Sequence, residues 1–200
     1  MCNTYTIKAK IAASPLEEAV SAAARRRRSP LVRRTDPGVV VVKREGELVV
    51  ETMRWGFATP KYNSVNNARS ETLKRGMWRK PMEDGRCLVP MSTFYEWKEL
   101  GPKLKQPYEF SRPDGDWLWI AGLWETNEQY GPSYATITTA PTPRVEPIHD
   151  RLLAIVEWEQ GLQFLSGGDF AFTPYAGDLA IEPCESPLKR KASGDQGGLL

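Results

Sequence analysis

Histidine is almost missing from this 200-residue chain, with His149 its only example. Cysteine is scarce as well: Cys2, Cys87 and Cys184 lie far apart, and no C-x-x-C pair occurs. That spacing argues against a disulfide framework and leaves too few ligands for a zinc site built from this chain alone. No metal and no cofactor is expected. No apolar run approaches the ~20 residues of a membrane span, and Met1–Lys10 lacks the apolar core of a signal peptide. The expected partner is therefore not a membrane, and the expected location is cytoplasmic, or nucleoid-associated in a bacterium. The sequence also lacks internal repeats, heptads and an exposed apolar stripe, so a monomer is expected.

What is present suits one globular domain. The hydrophobic fraction is 40% and the charged fraction 26%, ordinary values for a soluble fold of this length. The net charge of +2 hides an asymmetry, because residues 1–100 carry 19 Lys/Arg against 11 Asp/Glu and residues 101–200 carry 8 against 14. A basic half fits a polyanion such as nucleic acid, although a solvated charged surface gives the same composition. Ser14-Pro15-Leu16-Glu17 is a capping signal that starts a helix running to about Arg28. Val39–Lys43 and Leu48–Arg54 form a hairpin around Glu45-Gly46, and Arg69–Arg79 reads as a short helix. From Arg86 the pattern is mainly strand, through Leu152–Val156, followed by a helix over Glu157–Leu165. The fold class is α+β, with a domain over 1–182 and a polar tail over 183–200 expected to be disordered. Lys189-Arg190-Lys191 in that tail is a basic patch or simply a solvated run.

Four places carry chemistry. Removal of Met1 makes Cys2 the N-terminus and puts a thiol and an α-amine on one carbon skeleton. Their reference pKa values, about 8.5 and about 7.7–8.0, leave both partly deprotonated near neutrality. A 1,2-aminothiol condenses with an aldehyde through the amine, and the thiol then closes a five-membered thiazolidine ring without a second encounter. Asn67-Ala68-Arg69-Ser70-Glu71-Thr72 is a polar and basic loop-to-helix junction. In Phe94-Tyr95-Glu96-Trp97-Lys98, Glu96 interrupts an aromatic strand; desolvation there raises a carboxyl toward general-acid duty, whereas an edge-strand glutamate stays ordinary. His149 in Ile148-His149-Asp150-Arg151 is either a proton shuttle or a structural histidine.

Taken in order, Met1-Cys2, Asn-Ala-Arg-x-Glu-Thr, Phe-Tyr-Glu-Trp and His-Asp-Arg resemble the SOS response-associated peptidase (SRAP) family of abasic-site processing proteins. Trp55-Gly56-Phe57, Arg86–Pro90 and Thr138-Thr139-Ala140 add to the likeness, which covers roughly residues 1–156. The resemblance implies a strand-rich, barrel-like core with a few flanking helices. It also implies self-removal of Met1, binding of single-stranded DNA and covalent capture of a ring-opened abasic site by Cys2. By the same resemblance Asn67 holds the N-terminal amine or the sugar, Glu96 is the general acid/base and His149 shuttles protons. Arg69, Thr138 and Arg151 fall at DNA-facing positions, and Trp55 and Phe57 at a stacking or wedge surface, with core packing as their alternative.

The sequence departs from the family pattern in places. Asn3-Thr4 stands where Gly-Arg is usual, Met91-Ser92-Thr93 replaces Ala-Asp-Gly, and the loop between Trp55 and Asn67 is short, leaving Tyr62 or Lys61 in place of a tryptophan. Two other readings use the same residues: a noncatalytic single-strand-binding module, and a cysteine peptidase that uses Cys2 and His149 on other proteins.

Overall fold

Four consecutive valines, Val39 to Val42, are all buried. A run apolar on both faces belongs to a strand enclosed on both sides, and this one is the middle of the barrel. The computed structural model describes residues 2–188; Met1 and 189–200, with the Lys189-Arg190-Lys191 run, lie outside the described residues. In chain order the elements are β1 (Thr4–Thr6), α1 (Pro15–Arg25), β2 (Leu31–Arg33), β3 (Pro37–Arg44), β4 (Glu47–Trp55), β5 (Asn67–Arg69), α2 (Arg79–Asp84) and β6 (Arg86–Met91). There follow β7 (Thr93–Gly101), β8 (Leu104–Ser111), β9 (Leu118–Asn127), β10 (Gly131–Thr139), β11 (Leu152–Leu153), β12 (Ile155–Val156), α3 (Trp158–Leu165) and β13 (Ala180–Pro183).

Strands β4, β3, β6, β9 and β10 pair in that order, and β10 returns to β4, which closes a five-stranded barrel. Among these five strands, only the closing β10–β4 pair is parallel. The β3–β4 hairpin turns on Glu45-Gly46, both with positive φ (50° and 92°), the conformation a two-residue hairpin loop needs and glycine accepts without strain. A second, antiparallel sheet runs β2-β1-β7-β8-β13. Only Ser92 separates β6 from β7, so the chain passes directly from the barrel into the second sheet, and the Ser92 amide donates to the Thr6 carbonyl at 2.8 Å. This junction sets β1, and with it the N-terminus, against β7.

Ser14 caps α1 by accepting from the Glu17 amide at 3.2 Å, and the helix stops at Arg25 rather than Arg28. Beyond it Arg27 donates to the Leu31 carbonyl, so the end of the arginine run ties down the following turn. The helix expected over Arg69–Arg79 is absent. Asn67–Arg69 is committed to a parallel ladder with β10, two single 3₁₀ turns follow, and α-helix begins only at Arg79. The expected strand Leu152–Val156 is interrupted at Ala154, because its two halves serve different neighbours, β10 and β9. The polar segment from 183 begins in contact with the fold: Pro183 ends β13, and the Cys184 amide donates to the Pro107 carbonyl at 3.0 Å.

A buried tyrosine pair fixes the second sheet to the barrel. The hydroxyls of Tyr5 on β1 and Tyr134 on β10 lie 2.5 Å apart, and the edge of Tyr5 meets Trp55 with ring centroids 5.0 Å apart. Gly38 backs this pair, and a Cβ there overlaps both hydroxyls. Gly38→Ala is therefore expected to destabilise the fold by about 2 kcal/mol in urea denaturation, since a close-packed core tolerates added volume poorly. Part of that loss should disappear in a Tyr134→Phe background, which removes the more crowded of the two oxygens. An equal loss in both backgrounds contradicts the packing account.

Candidate functional site

The site is assembled where β4 leaves the edge of β10 and β5 takes its place. β4 pairs with Ser133 and Tyr134, and β5 pairs with Thr136–Thr138. Between them the chain makes a loop closed by the Phe57–Val65 bridge, with Arg54 donating to the Asn63 carbonyl at 2.8 Å. The chain re-enters at Asn66, whose carbonyl accepts from the Thr136 amide (3.0 Å) and the Trp55 indole N–H (3.2 Å). A peptide held this way has little freedom, and the two side chains it carries are aimed by it.

Both aim at the N-terminus. The amide nitrogens of Asn66 and Asn67 each donate to the Cys2 carbonyl at 2.9 Å. Asn66 also reaches the Asn3 side chain at 3.3 Å. The orientation of the Asn67 amide is set by the Thr136 hydroxyl, which donates to its oxygen at 2.8 Å, so its nitrogen must face Cys2. Hydrogen bonds of this kind contribute about 1 kcal/mol each, and leaving one of these buried groups unpaired costs more. Their consequence here is a fixed Cys2, wholly enclosed, with its thiol donating to the Thr4 carbonyl at 3.3 Å.

Glu96 arrives on β7, the strand that pairs with β1 through Tyr5–Phe94. Glu96 is 4% exposed, and its carboxyl lies 3.6 Å from His149 Nε2. His149 follows a turn in which its own amide donates to the Val145 carbonyl at 3.0 Å. The Arg151 amide N–H donates to His149 Nδ1 at 3.0 Å. Asp150 Oδ1 also stands 2.9 Å from Nδ1, which suits a proton on that nitrogen instead. The main-chain donor cannot turn away, whereas the exposed Asp150 carboxylate is free to face water. Nδ1 is accordingly the acceptor, and Nε2 carries the proton toward Glu96.

Burial dominates the electrostatics. It pushes the Glu96 carboxyl up to about 7, with the Asp150 charge adding to the effect. It pushes the Cys2 thiol up to about 12, helped by the nearby Glu96 charge. It also lowers His149, which is therefore neutral near pH 7. Glu96 and His149 open into a cleft of about 670 Å³ lined also by Asn3, Trp97, Glu146 and Asp150. Such a site has a thiol in its neutral form, a carboxyl able to give or take a proton at neutral pH, and a neutral imidazole beside it. Such groups can pass a proton to or from a bound molecule.

Cys2, Asn67, Glu96 and His149 thus come together from four separate parts of the chain. Thr138 joins them through its neighbours, its hydroxyl donating to the Ala68 carbonyl at 3.3 Å. Arg69 is exposed beside Asn67, along a groove with Lys61, Tyr62 and Trp78. Arg151 is not turned outward for a ligand: its guanidinium forms a bidentate pair with Glu71 (3.0 and 2.9 Å) and donates to the Thr138 carbonyl. Trp55 and Phe57 are wholly buried, so neither offers a ring face to a base. Trp55 holds the Asn66 carbonyl, and Phe57 packs on Trp78. Asn66 and Thr136 complete the site and were not singled out by residue type. Their signals were the Asn66-Asn67 doublet and a polar residue at the middle of the alternating, buried Tyr134–Thr138 run. Among the described residues, no group of three His, Cys, Asp or Glu side chains is placed to hold a metal ion, and no helix is long and apolar enough to cross a membrane.

Comparison with known proteins gives the family and the fold. Residues 1–185 match the family described as SOS response associated peptidase (SRAP). The abasic site processing protein YoqW of Bacillus subtilis is 36% identical over 126 residues, covering 57% of this chain and 56% of that protein. The abasic site processing protein YMR114C of Saccharomyces cerevisiae is also 36% identical over 126 residues, covering 58% of this chain and 34% of its own. The chain thus spans about half the length, or less, of the curated relatives it matches. A solved structure from Bordetella bronchiseptica superposes with a TM-score of 0.72 at 21% identity, covering 92% of this chain and all of that one. It shares the fold.

The raised Glu96 pKa carries a signed prediction. The folded form binds this proton more tightly than the unfolded chain, so the contribution to stability is full below the ordinary carboxyl value. It is lost as pH rises through about 7. Holding the ionised carboxylate at pH 8 costs about 3 kcal/mol. Glu96→Gln should therefore melt at a higher temperature than the parent at pH 8, with the gap closing toward pH 5. A gap that does not change with pH contradicts this reading.

Proposed function

The chain belongs to the SOS response associated peptidase family, and from that premise we propose that it captures abasic sites in single-stranded DNA on Cys2. The observation that carries the proposal is the fixation of Cys2 by two asparagine amides beside the buried Glu96–His149 pair. The names of the similar Bacillus and Saccharomyces proteins, both abasic site processing proteins, supply the substrate.

In this reading Met1 is removed by the protein itself, a peptidase step that frees the Cys2 amine. Glu96 in its acid form protonates the ring oxygen of the abasic sugar, and the hemiacetal opens to an aldehyde. The Cys2 amine adds to the aldehyde carbon, and loss of one water gives the imine. The thiol then adds to the imine carbon; its proton leaves by way of Glu96, and the imine nitrogen gains one. The product is a thiazolidine, with aldehyde and aminothiol consumed and water released. His149, neutral and with its one N–H on Nε2 shared between Glu96 and the opened sugar's hydroxyl, returns protons between steps. Ring closure removes the imine and so suppresses β-elimination of the 3′ phosphate, which would break the strand.

Asn67 acts through position. Its amide grips the carbonyl of Cys2, one residue's backbone from the amine, and so fixes the direction from which the amine meets the aldehyde. Arg69 is the phosphate contact on the exposed side. A monomer acting in the cytoplasm, or on the nucleoid of a bacterium, completes the reading.

The test is intact mass before and after incubation with single-stranded DNA carrying one abasic site. Loss of Met1 and a DNA-sized gain are expected, with the gain absent in Cys2→Ala and slowed at least tenfold in Asn67→Ala. A Cys2→Ala protein that still gains the DNA mass places the nucleophile elsewhere and overturns the proposal. Affinity for the strand with no covalent gain in the parent protein points instead to a binding module.

A further inference from the structure

Eight of the fifteen arginines among the described residues have partners within the fold. Among the described residues, Arg25, Arg44, Arg112, Arg144 and Arg151 ion-pair with carboxylates. Arg27, Arg54 and Arg86 donate to main-chain carbonyls. The arginines without such partners fall in two runs, residues 26–34 and 69–79, and all of them are exposed. The second run begins at Arg69, beside the asparagine that grips Cys2. The first run ends at Arg33 and Arg34, on and just after β2.

That placement brings the first run to the same anchor from the other side. β1 lies between β7, which carries Glu96, and β2. Arg33 stands directly opposite Thr4 across the antiparallel β1–β2 ladder, two residues from Cys2, and Arg34 follows it in the direction of the Cys2 end of β1. The Ile7 amide donates to the Pro30 carbonyl at 2.9 Å, which holds the start of this segment to the end of β1. The only carboxylate between residues 26 and 37 is Asp36, and it accepts from the Arg33 main-chain amide at 3.0 Å. It forms no ion pair with either guanidinium. Unpaired guanidinium groups kept close together repel one another, a cost that a bound polyanion offsets.

We propose that Arg33 and Arg34 form a phosphate-binding track that holds the DNA strand on one side of the abasic site, opposite the side held by Arg69. The inference rests on the proposed function and assigns it a second flank. Guanidinium groups suit phosphate through paired N–H donors. Two arms on either side of Cys2 fit a single strand that crosses the site and continues in both directions. Arg26 and Arg28 extend the track farther along the same flank.

The experiment uses the Arg33→Ala/Arg34→Ala variant of the full chain and undamaged single-stranded oligonucleotides, with anisotropy read over a salt series. Loss of two phosphate contacts should lower the slope of log affinity against log salt by about 1.4, at about 0.7 per phosphate for a single strand. A second series places an abasic site near one end or the other of the oligonucleotide. The variant should slow adduct formation for one polarity only, and Arg69→Ala for the opposite polarity. At saturating DNA the variant's crosslinking rate should equal the parent's, which a misfolded protein could not deliver. An unchanged salt slope, or an equal loss for both polarities, overturns the track while leaving the Cys2 chemistry standing. A parent protein that neither binds nor crosslinks the strand overturns both.

Discussion

Two asparagine amides on one carbonyl hold this site together. Without the bonds from Asn66 and Asn67, Cys2 loses two side-chain anchors just ahead of β1, and segments without such anchors fray. The bonds depend in turn on the return of the chain to β10 after the 58–64 excursion, and on Trp55 and the Thr136 amide gripping the Asn66 carbonyl. The barrel thus acts through its edge. A parallel ladder shared by β4 and β5 is the device that brings a loop dipeptide back to the N-terminus. The fixed cysteine is a consequence of that ladder.

The same enclosure shapes the chemistry. Burial raises both the Cys2 thiol and the Glu96 carboxyl and keeps His149 neutral, so the resting site carries little charge in its interior. A neutral thiol is a weak nucleophile and resists oxidation. The proton has a nearby acceptor when it is needed, because a carboxyl with a pKa near neutrality takes and returns protons at little cost. The stability given up by burying a carboxylate is a local expense at the position where function needs it, a common feature of sites that depart from simple hydrophobic packing.

Much of this was legible from residue type. The strand-rich α+β class, the β3–β4 hairpin on Glu45-Gly46 and the Ser14 cap follow from turn and capping chemistry that acts locally. Family motifs pointed to Cys2, Asn67, Glu96 and His149, and these four do converge. The misreadings have a common origin in tertiary pairing. Ser70-Glu71-Thr72 has the polar look of a helix start, but the backbone before it is spent on β10, and local propensity yields to the ladder. Trp55 and Phe57 read equally well as a stacking surface or as core, since aromatic residues serve both, and burial decides for core. Arg151 reads as a phosphate ligand until Glu71 is found across from it. Asn66 is visible as one half of a doublet, yet only the main-chain and indole donors on its carbonyl show why it matters.

The measurement that bears most directly on the fixed-aminothiol account is alkylation of the Cys2 thiol in the isolated protein–DNA adduct, followed by mass analysis of the N-terminal peptide. Imine and thiazolidine have the same mass, but only the thiazolidine has consumed the thiol. The account predicts a peptide that carries the sugar and takes up no alkylating reagent at Cys2. A sugar-bearing peptide that is alkylated at Cys2, or a sugar found on a lysine, contradicts it.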